Sequence, residues 1–179
     1  MQAIATRRAF EDFEAATGLR LPHLDAVLAA VRVSRLVPRA AAFHAGEARA
    51  RVYLVRAGLL KQAYVDVEGG EWIKSFAGPG DLFACLDALG GGVTSFASVA
   101  IEPSVVEWIE WRVIERAAAG DVAWQRAVRM AFQALAHRKV HRERDLLMLT
   151  PEQLYWALVR DTPGIAARVP QRDLAAYSA

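Results

Sequence analysis

The chain has 179 residues, 54% of them hydrophobic, so it can bury a core without covalent cross-links. Its single cysteine, Cys85, excludes an intrachain disulfide, a zinc site built from several thiolates and an all-cysteine iron–sulfur cluster. The net charge of +2 is too small to indicate a nucleic-acid partner by itself.

The N-terminal segment predicts two short helices. The first covers residues 7–16 and stops at Gly18. In residues 22–36 the apolar side chains recur at helical spacing, and Pro22 suits a first helical turn.

The same segment gives no sign of targeting to a membrane. Arg7 and Arg8 are not followed by the apolar stretch of a secretory signal. No apolar run reaches the roughly 20 residues that a membrane span needs. We therefore expect a soluble, cytoplasmic protein without a membrane partner.

The middle of the chain predicts a β-sheet domain. Short β-rich segments are separated by glycine and acidic turns, a pattern typical of an antiparallel sandwich or jelly roll. A parallel α/β sheet would need helices between the strands, and none fit. The predicted strands are residues 51–55, 59–67, 72–76, 95–101 and 105–111.

A long helix is predicted from Asp121 onward, for nearly thirty residues. Four apolar residues follow one another at steps of four, three and four, the spacing of a coiled-coil seam. They are Trp124, Val128, Ala131 and Leu135. A domain about 35 Å across cannot cover so long a stripe, so we predict a homodimer through this helix. The alternative is that the helix packs back on its own barrel.

The last thirty residues predict further helices. Thr150, Pro151 and Gln153 form a capping box with proline in the first turn, so a helix begins at Pro151. Residues 161–164 end it, and residues 170–176 begin another. Residues 121–179 hold 9 Lys and Arg against 6 Asp and Glu, while residues 1–120 hold 13 against 14. This excess favours a polyanionic partner, although solvated helix faces give the same count.

This order of elements and three local sequences resemble the Crp/Fnr family of bacterial transcription regulators. Gly46, Gly58 and Gly80 occupy chain reversals, where glycine accepts a positive φ without strain. The sequences are residues 43–47 (FHAGE), 52–61 (VYLVRAGLLK) and 78–83 (GPGDLF). The resemblance implies an α+β fold: an antiparallel double-stranded β-helix, of the cyclic-nucleotide-binding jelly-roll type, flanked by helices. A long dimerisation helix and a partial winged helix-turn-helix domain would follow.

The resemblance also implies three parts and a DNA partner. They are a β-roll effector domain over residues 1–120, the dimerisation helix over 121–149 and the start of the DNA-binding domain over 150–179. The segment 170–176 would be the first helix of the helix-turn-helix, with Gln171 and Arg172 as contacts to the DNA backbone. Because the helix that reads DNA is missing, we expect a truncated chain whose full-length form binds DNA.

The segment that binds the cyclic nucleotide in the family departs from the family pattern here. By position, Ala84 replaces the glycine, Cys85 the glutamate that holds the ribose and Thr94 the arginine that holds the phosphate. An anion in a half-buried barrel needs a fixed cation, and no Lys or Arg lies between Lys74 and Arg112. We therefore predict no tight binding of cyclic AMP or cyclic GMP.

An apolar or mildly polar pocket for an unidentified small-molecule effector remains as a hypothesis. The triple glycine of residues 90–92 would make the loop beside it mobile or let its amides approach a ligand. The alternative is a degenerate loop over a filled core. The candidate pocket residues are Leu82, Phe83, Cys85, Thr94, Ser95 and Phe96.

Metal, cofactor and enzyme chemistry are not predicted. His44 lies on a turn, and the positive charges around His137 and His141 oppose a cation. A metal-dependent jelly-roll enzyme needs about three inward ligands, which this barrel does not offer. We expect no cofactor, no metal and no catalytic residue. The leading hypothesis is a regulator, and the alternative is a stand-alone β-roll used as a ligand-binding or protein-interaction module.

Overall fold

The computed structural model describes residues 3–66 and 68–178. Val67, the predicted end of one strand, lies outside the described residues, as do Met1 and Ala179 at the ends of the predicted domains. Within the described residues, eight strands form two four-stranded antiparallel sheets, in the orders β1-β8-β3-β6 and β2-β7-β4-β5. The strands are β1 Arg32–Leu36, β2 Ala41–Phe43, β3 Arg51–Ala57, β4 Leu60–Val65, β5 Glu71–Ala77, β6 Leu82–Ala84, β7 Ala97–Ala100 and β8 Ser104–Glu110. This confirms the predicted antiparallel jelly roll, called the roll below.

Helices flank the roll on both sides along the chain. Two precede it, one short helix interrupts it, and the rest follow it. They are α1 Ile4–Thr17, α2 Leu24–Ala29, α3 Leu86–Leu89, α4 Trp111–Ala119, α5 Val122–Met148, α6 Pro151–Asp161, α7 Ile165–Arg168 and α8 Gln171–Ser178. The predicted capping box is present, because Thr150 and Gln153 each accept a hydrogen bond from the other's backbone N–H.

Two sequence predictions about single segments are wrong, and two short strands were not predicted. Residues 22–36 do not form one helix, because the backbone of Arg32–Leu36 pairs with β8 as an edge strand. Trp111 begins α4 instead of ending a strand, and its N–H donates to Ala50 O. The short strands β2 and β6 were not predicted; pairing with β7 and β3 forms them. In each case the hydrogen-bonding partner is distant in sequence, so local periodicity does not report it.

Three hydrophobic clusters hold the parts together. One fills the roll, one lies between the roll and helices α1, α2, α4 and α5, and one joins the roll to the C-terminal helices. The third is centred on Leu59, Leu158 and Ile165. The three helices α6–α8, called the helical unit below, therefore take part of their core from the roll.

A buried carboxylate attaches α1 to the roll. Glu107 on β8 is fully buried and accepts hydrogen bonds from the backbone N–H groups of Ala5 (3.1 Å) and Thr6 (2.7 Å). These two N–H groups belong to the first turn of α1, where no intrahelical acceptor is available. Glu107 thus caps a helix that lies about a hundred residues earlier in the chain.

Candidate functional site

The segment that links β6 to β7 lies where the sequence predicts the effector pocket. We call residues 83–95 the cassette: they contain the end of β6, α3 and the glycines 90–92. Thr94 is buried; its hydroxyl donates to His44 O and accepts from Glu47 N at 2.9 Å. Thr94 therefore ties the cassette to the preceding turn, and both hydrogen-bonding directions of its hydroxyl are occupied by that role.

Aromatic rings fill the roll beneath the cassette. Tyr53 and Phe83 stack with centroids 5.1 Å apart, and Phe43 contacts Phe96 at 5.3 Å. All four side chains are buried, and burial raises the pKa of Tyr53 above its usual value. Phe83 and Phe96, two of the predicted pocket residues, thus form part of a packed core.

Cys85 belongs to the same packed core, whereas Leu82 and Ser95 are more exposed. Cys85 is buried, and its Sγ lies 3.5 Å from Ser95 Oγ and accepts from Ser95 N at 3.3 Å. Ser95 is exposed and Leu82 half-buried. The structure therefore brings Phe83, Cys85 and Phe96 together in the core, with Ser95 in contact with Cys85.

Two cations lie beside the cassette that sequence reasoning did not assign to it. Lys74 on β5 places its ammonium 4.6 Å from the centre of the Phe96 ring. Arg138 on α5 donates to Leu82 O at 2.8 Å. Burial lowers the pKa of Lys74, and the positive charges of Arg138 and Lys139 lower it further. Their positions in the sequence, well before and well after the cassette, carry no signal of this convergence.

The predicted dimer seam on α5 needs a correction at its first residue. Trp124 is only 2% exposed, and its Nε1 donates to Pro22 O at 2.8 Å. Its indole also meets Phe10 edge to face. The N-terminal helices thus cover Trp124, because they fold back over the start of α5. The other seam residues, Val128, Ala131 and Leu135, are partly exposed.

Further apolar side chains on α5 face solvent. Val140 is 62% exposed, and Leu147 and Met148 at the helix end are 79% and 75% exposed. Exposed apolar side chains grouped on one element are typical of an interaction surface.

Polar contacts and the third hydrophobic cluster together dock the helical unit on the roll. The Lys61 ammonium, on β4, contacts the Glu71 carboxylate, and its Nζ lies 3.4 Å from Asp173 Oδ1 on α8. Both Lys61 and Asp173 are buried. Arg168 forms a two-pronged ion pair with Glu102, which holds the pKa of that carboxyl below its usual value. The stabilisation from this ion pair is therefore present above the carboxyl's unfolded pKa and is lost as the pH falls through its lowered folded pKa.

Arg142 links the long helix to the same unit. Its guanidinium stacks over the ring of Tyr177 at 3.6 Å and donates to Tyr177 O. The predicted DNA contacts, Gln171 and Arg172, lie at the start of α8 and are exposed. Arg172 Nε is 3.5 Å from Asp173 Oδ1.

The architecture matches solved structures of one class. No family model matches the sequence, and no curated protein matches it. FixK2 from Bradyrhizobium japonicum is 22% identical, with 82% of this chain and 76% of that chain covered and a TM-score of 0.65. The c-di-GMP responsive regulator CLP of Xanthomonas campestris is 14% identical, with 87% and 83% covered and a TM-score of 0.66. The catabolite activator protein of Thermus thermophilus is 20% identical, with 90% and 78% covered and a TM-score of 0.58.

The chain has a Crp/Fnr-like fold. Along the chain, the roll is followed by the long helix α5 and then by the helical unit, in the order that the sequence resemblance implies. None of the helices in residues 3–66 and 68–178 is long and apolar enough to cross a bilayer. Nor do three His, Cys, Asp or Glu side chains come together as a metal site within those ranges.

Proposed function

We propose that this chain is the effector-sensing and dimerising part of a transcription regulator, and that it is not an enzyme. The observation that carries the proposal is α5, a 27-residue helix that leaves the roll with exposed apolar side chains and leads into the helical unit. A second copy would cover those side chains. An effector that moved α5 would change the position of two helical units at once.

Leu135 lies at the centre of the proposed dimer contact. With Val128 and Ala131 it continues one helical line, and the exposed Val140 and Leu146 lie further along the same helix. Trp124 does not belong to this interface, because it is buried in its own chain. Two copies would therefore meet along the part of α5 that follows its first turns.

Replacing Leu135 by glutamate is expected to dissociate the dimer. The charge would be buried twice in a symmetric contact without a partner, so we expect the dimer Kd to rise at least about 100-fold, roughly 3 kcal/mol. Sedimentation equilibrium measures this. The matched control is Gln133→Glu, an exposed position on the same helix where the charge stays in water. A wild-type protein that remains monomeric at tens of micromolar would remove the mechanical basis of the proposal.

Cyclic AMP is expected not to bind with submicromolar affinity. Thr94 stands where the family has its phosphate-binding arginine, and its hydroxyl is already engaged by His44 and Glu47. Buried aromatic rings occupy the interior below it. Isothermal titration calorimetry with cyclic AMP and cyclic GMP tests the expectation, and a submicromolar Kd for either would defeat it.

We further propose that α8 is the first helix of a helix-turn-helix and that the full-length protein binds DNA. Arg172 is 78% exposed, so it is available to a phosphate. We expect Arg172→Gln to weaken binding to any duplex about equally and to lower the slope of log K against log salt by about 1. Fluorescence anisotropy at several salt concentrations measures the slope, with Arg160→Gln, on the exposed surface of α6, as the control.

One observation favours the alternative of a stand-alone ligand-binding or interaction module. Leu174 and Asp173 of α8 are buried in contacts that include the roll, so the helical unit is already partly packed. If the full-length protein binds duplex DNA no more weakly after Arg172→Gln, this alternative is supported instead.

A further inference from the structure

The ring of Tyr177, in the last turn of α8, contacts both the roll and the long helix. The ring of Phe76 on β5 lies with its centroid 5.5 Å from the centroid of the Tyr177 ring. The guanidinium of Arg142 on α5 stacks on the same ring, with Cζ 3.6 Å from the ring centre. Three elements, β5, α5 and α8, therefore meet at one side chain.

Arg142 depends on Tyr177 for its contacts. Besides the stacking, its Nη2 donates a hydrogen bond to Tyr177 O. Its Nη1 is buried and makes no hydrogen bond to any atom of residues 3–66 and 68–178. Burial lowers the pKa of Arg142 below its usual value, because the charged form has lost part of its water. The face of the Tyr177 ring and its carbonyl oxygen offset this cost.

The first turn of α8 is attached to the roll by different residues. Asp173 Oδ1 lies 3.4 Å from Lys61 Nζ on β4, and both side chains are buried. Leu174 packs in the cluster that includes Leu59 of the roll. Because α8 has only eight residues, about 12 Å along its axis, it is held at both ends. Within the described residues, the hydrogen bond and the ring contact that α8 makes with α5 both involve Tyr177.

We infer that Tyr177 is a positioning residue that couples the long helix to α8, so that a shift of α5 relative to the roll reaches α8 through Arg142. This inference rests on the proposed function, because it names the contact by which the effector-sensing part would act on the DNA-binding unit. A displacement of Arg142 takes the cation away from the Tyr177 ring and carbonyl, and the last turn of α8 loosens. The first turn stays on Lys61, so α8 pivots about its N-terminal end.

Amide hydrogen exchange followed by NMR tests the coupling in wild type, Arg142→Gln, Tyr177→Leu and the double variant. Each single change is expected to lower the protection factors of the Ala176 and Tyr177 amides about 10-fold, the contribution of a partly desolvated cation–π contact. The double variant is expected to lower them no further, because both changes remove the same contact. The Leu174 amide, which donates to Pro170 O at 3.1 Å, is expected to keep its protection.

Two control variants separate this contact from general damage to α8. Tyr177→Phe keeps the ring and the main-chain acceptor, so the last turn is expected to stay protected as in wild type. Arg144→Gln is expected to change nothing, because Arg144 lies two residues further along α5 with its side chain 63% exposed.

Three results would overturn the inference: additive effects of Arg142→Gln and Tyr177→Leu, an equal effect of Arg144→Gln, or a loss of protection at Leu174 as large as in the last turn. Sedimentation of the same samples reports the dimer separately. A wild-type dimer whose α8 does not respond to Arg142→Gln refutes only this inference, whereas a wild-type monomer refutes the proposed function.

Discussion

Glu107→Ala is expected to lower the free energy of unfolding by about 3–5 kcal/mol, because two backbone N–H groups lose a charged acceptor and remain partly buried. The carboxylate accepts from Ala5 N and Thr6 N, and Arg56 Nη1 lies 3.8 Å from it. Without it the first turn of α1 has no cap. The packing of Phe10 on Trp124 then loses its anchor.

Urea unfolding followed by tryptophan fluorescence measures this loss, because the indole of Trp124 lies under α1. Glu107→Gln keeps one acceptor oxygen and is expected to cost about half as much. The matched control is Glu110→Ala on the same strand, whose ion pair with Arg51 is partly exposed and is expected to contribute less than about 1 kcal/mol. Equal losses for Glu107→Ala and Glu110→Ala would show that the cap does not hold α1 in place.

Lys61→Met is expected to release the helical unit from the roll. Lys61 is the only cation of the described residues that reaches Asp173 from the roll, and its removal leaves the buried Asp173 with only the largely exposed Arg172, 3.5 Å away on the same helix. Breaking a buried ion pair by removing one partner costs about 3–5 kcal/mol. We expect the amides of α8 to exchange hydrogen much faster, while those of β7 inside the roll keep their protection.

The double variant Lys61→Met with Asp173→Leu distinguishes docking from general damage. A well-packed apolar pair in place of a buried ion pair is often neutral or stabilising, so it should restore the protection of α8. Arg160→Met, which breaks an exposed pair with Asp161, is the control and should change nothing. If α8 exchanges at the wild-type rate in Lys61→Met, the ion pair does not hold the unit.

The Glu107 cap and the Lys61–Asp173 ion pair matter for the regulator proposal because they hold elements that contact α5. The long helix touches the N-terminal helices through Trp124, strand β6 of the roll through the bond from Arg138 to Leu82 O, and the helical unit through Arg142. A change at any of these points reaches the same helix.

The candidate site was predictable in part. The glycines and the departures from the family pattern located the cassette. Cys85 and Thr94, which replace the family's glutamate and arginine, led to the prediction that cyclic nucleotides do not bind tightly. The two cations near the ends of the cassette were not predictable, because Lys74 reaches Phe96 from β5 and Arg138 reaches Leu82 from α5. The heptad pattern also placed Trp124 in the dimer seam, although the N-terminal helices of the same chain bury it. Spacing along one helix does not report which of its side chains a distant helix covers.

The sequence by itself determined what depends on neighbours along the chain. Glycine at the chain reversals, the capping box at Thr150 and the long helical period predicted the roll and the helices α5 and α6, because each relies on backbone preferences or on residues a few positions apart. Only the tertiary structure decided which charges meet. Glu107 caps α1 and Lys61 pairs with Asp173 because strand pairing and helix packing bring together residues that are more than a hundred positions apart, and no local pattern records such pairs.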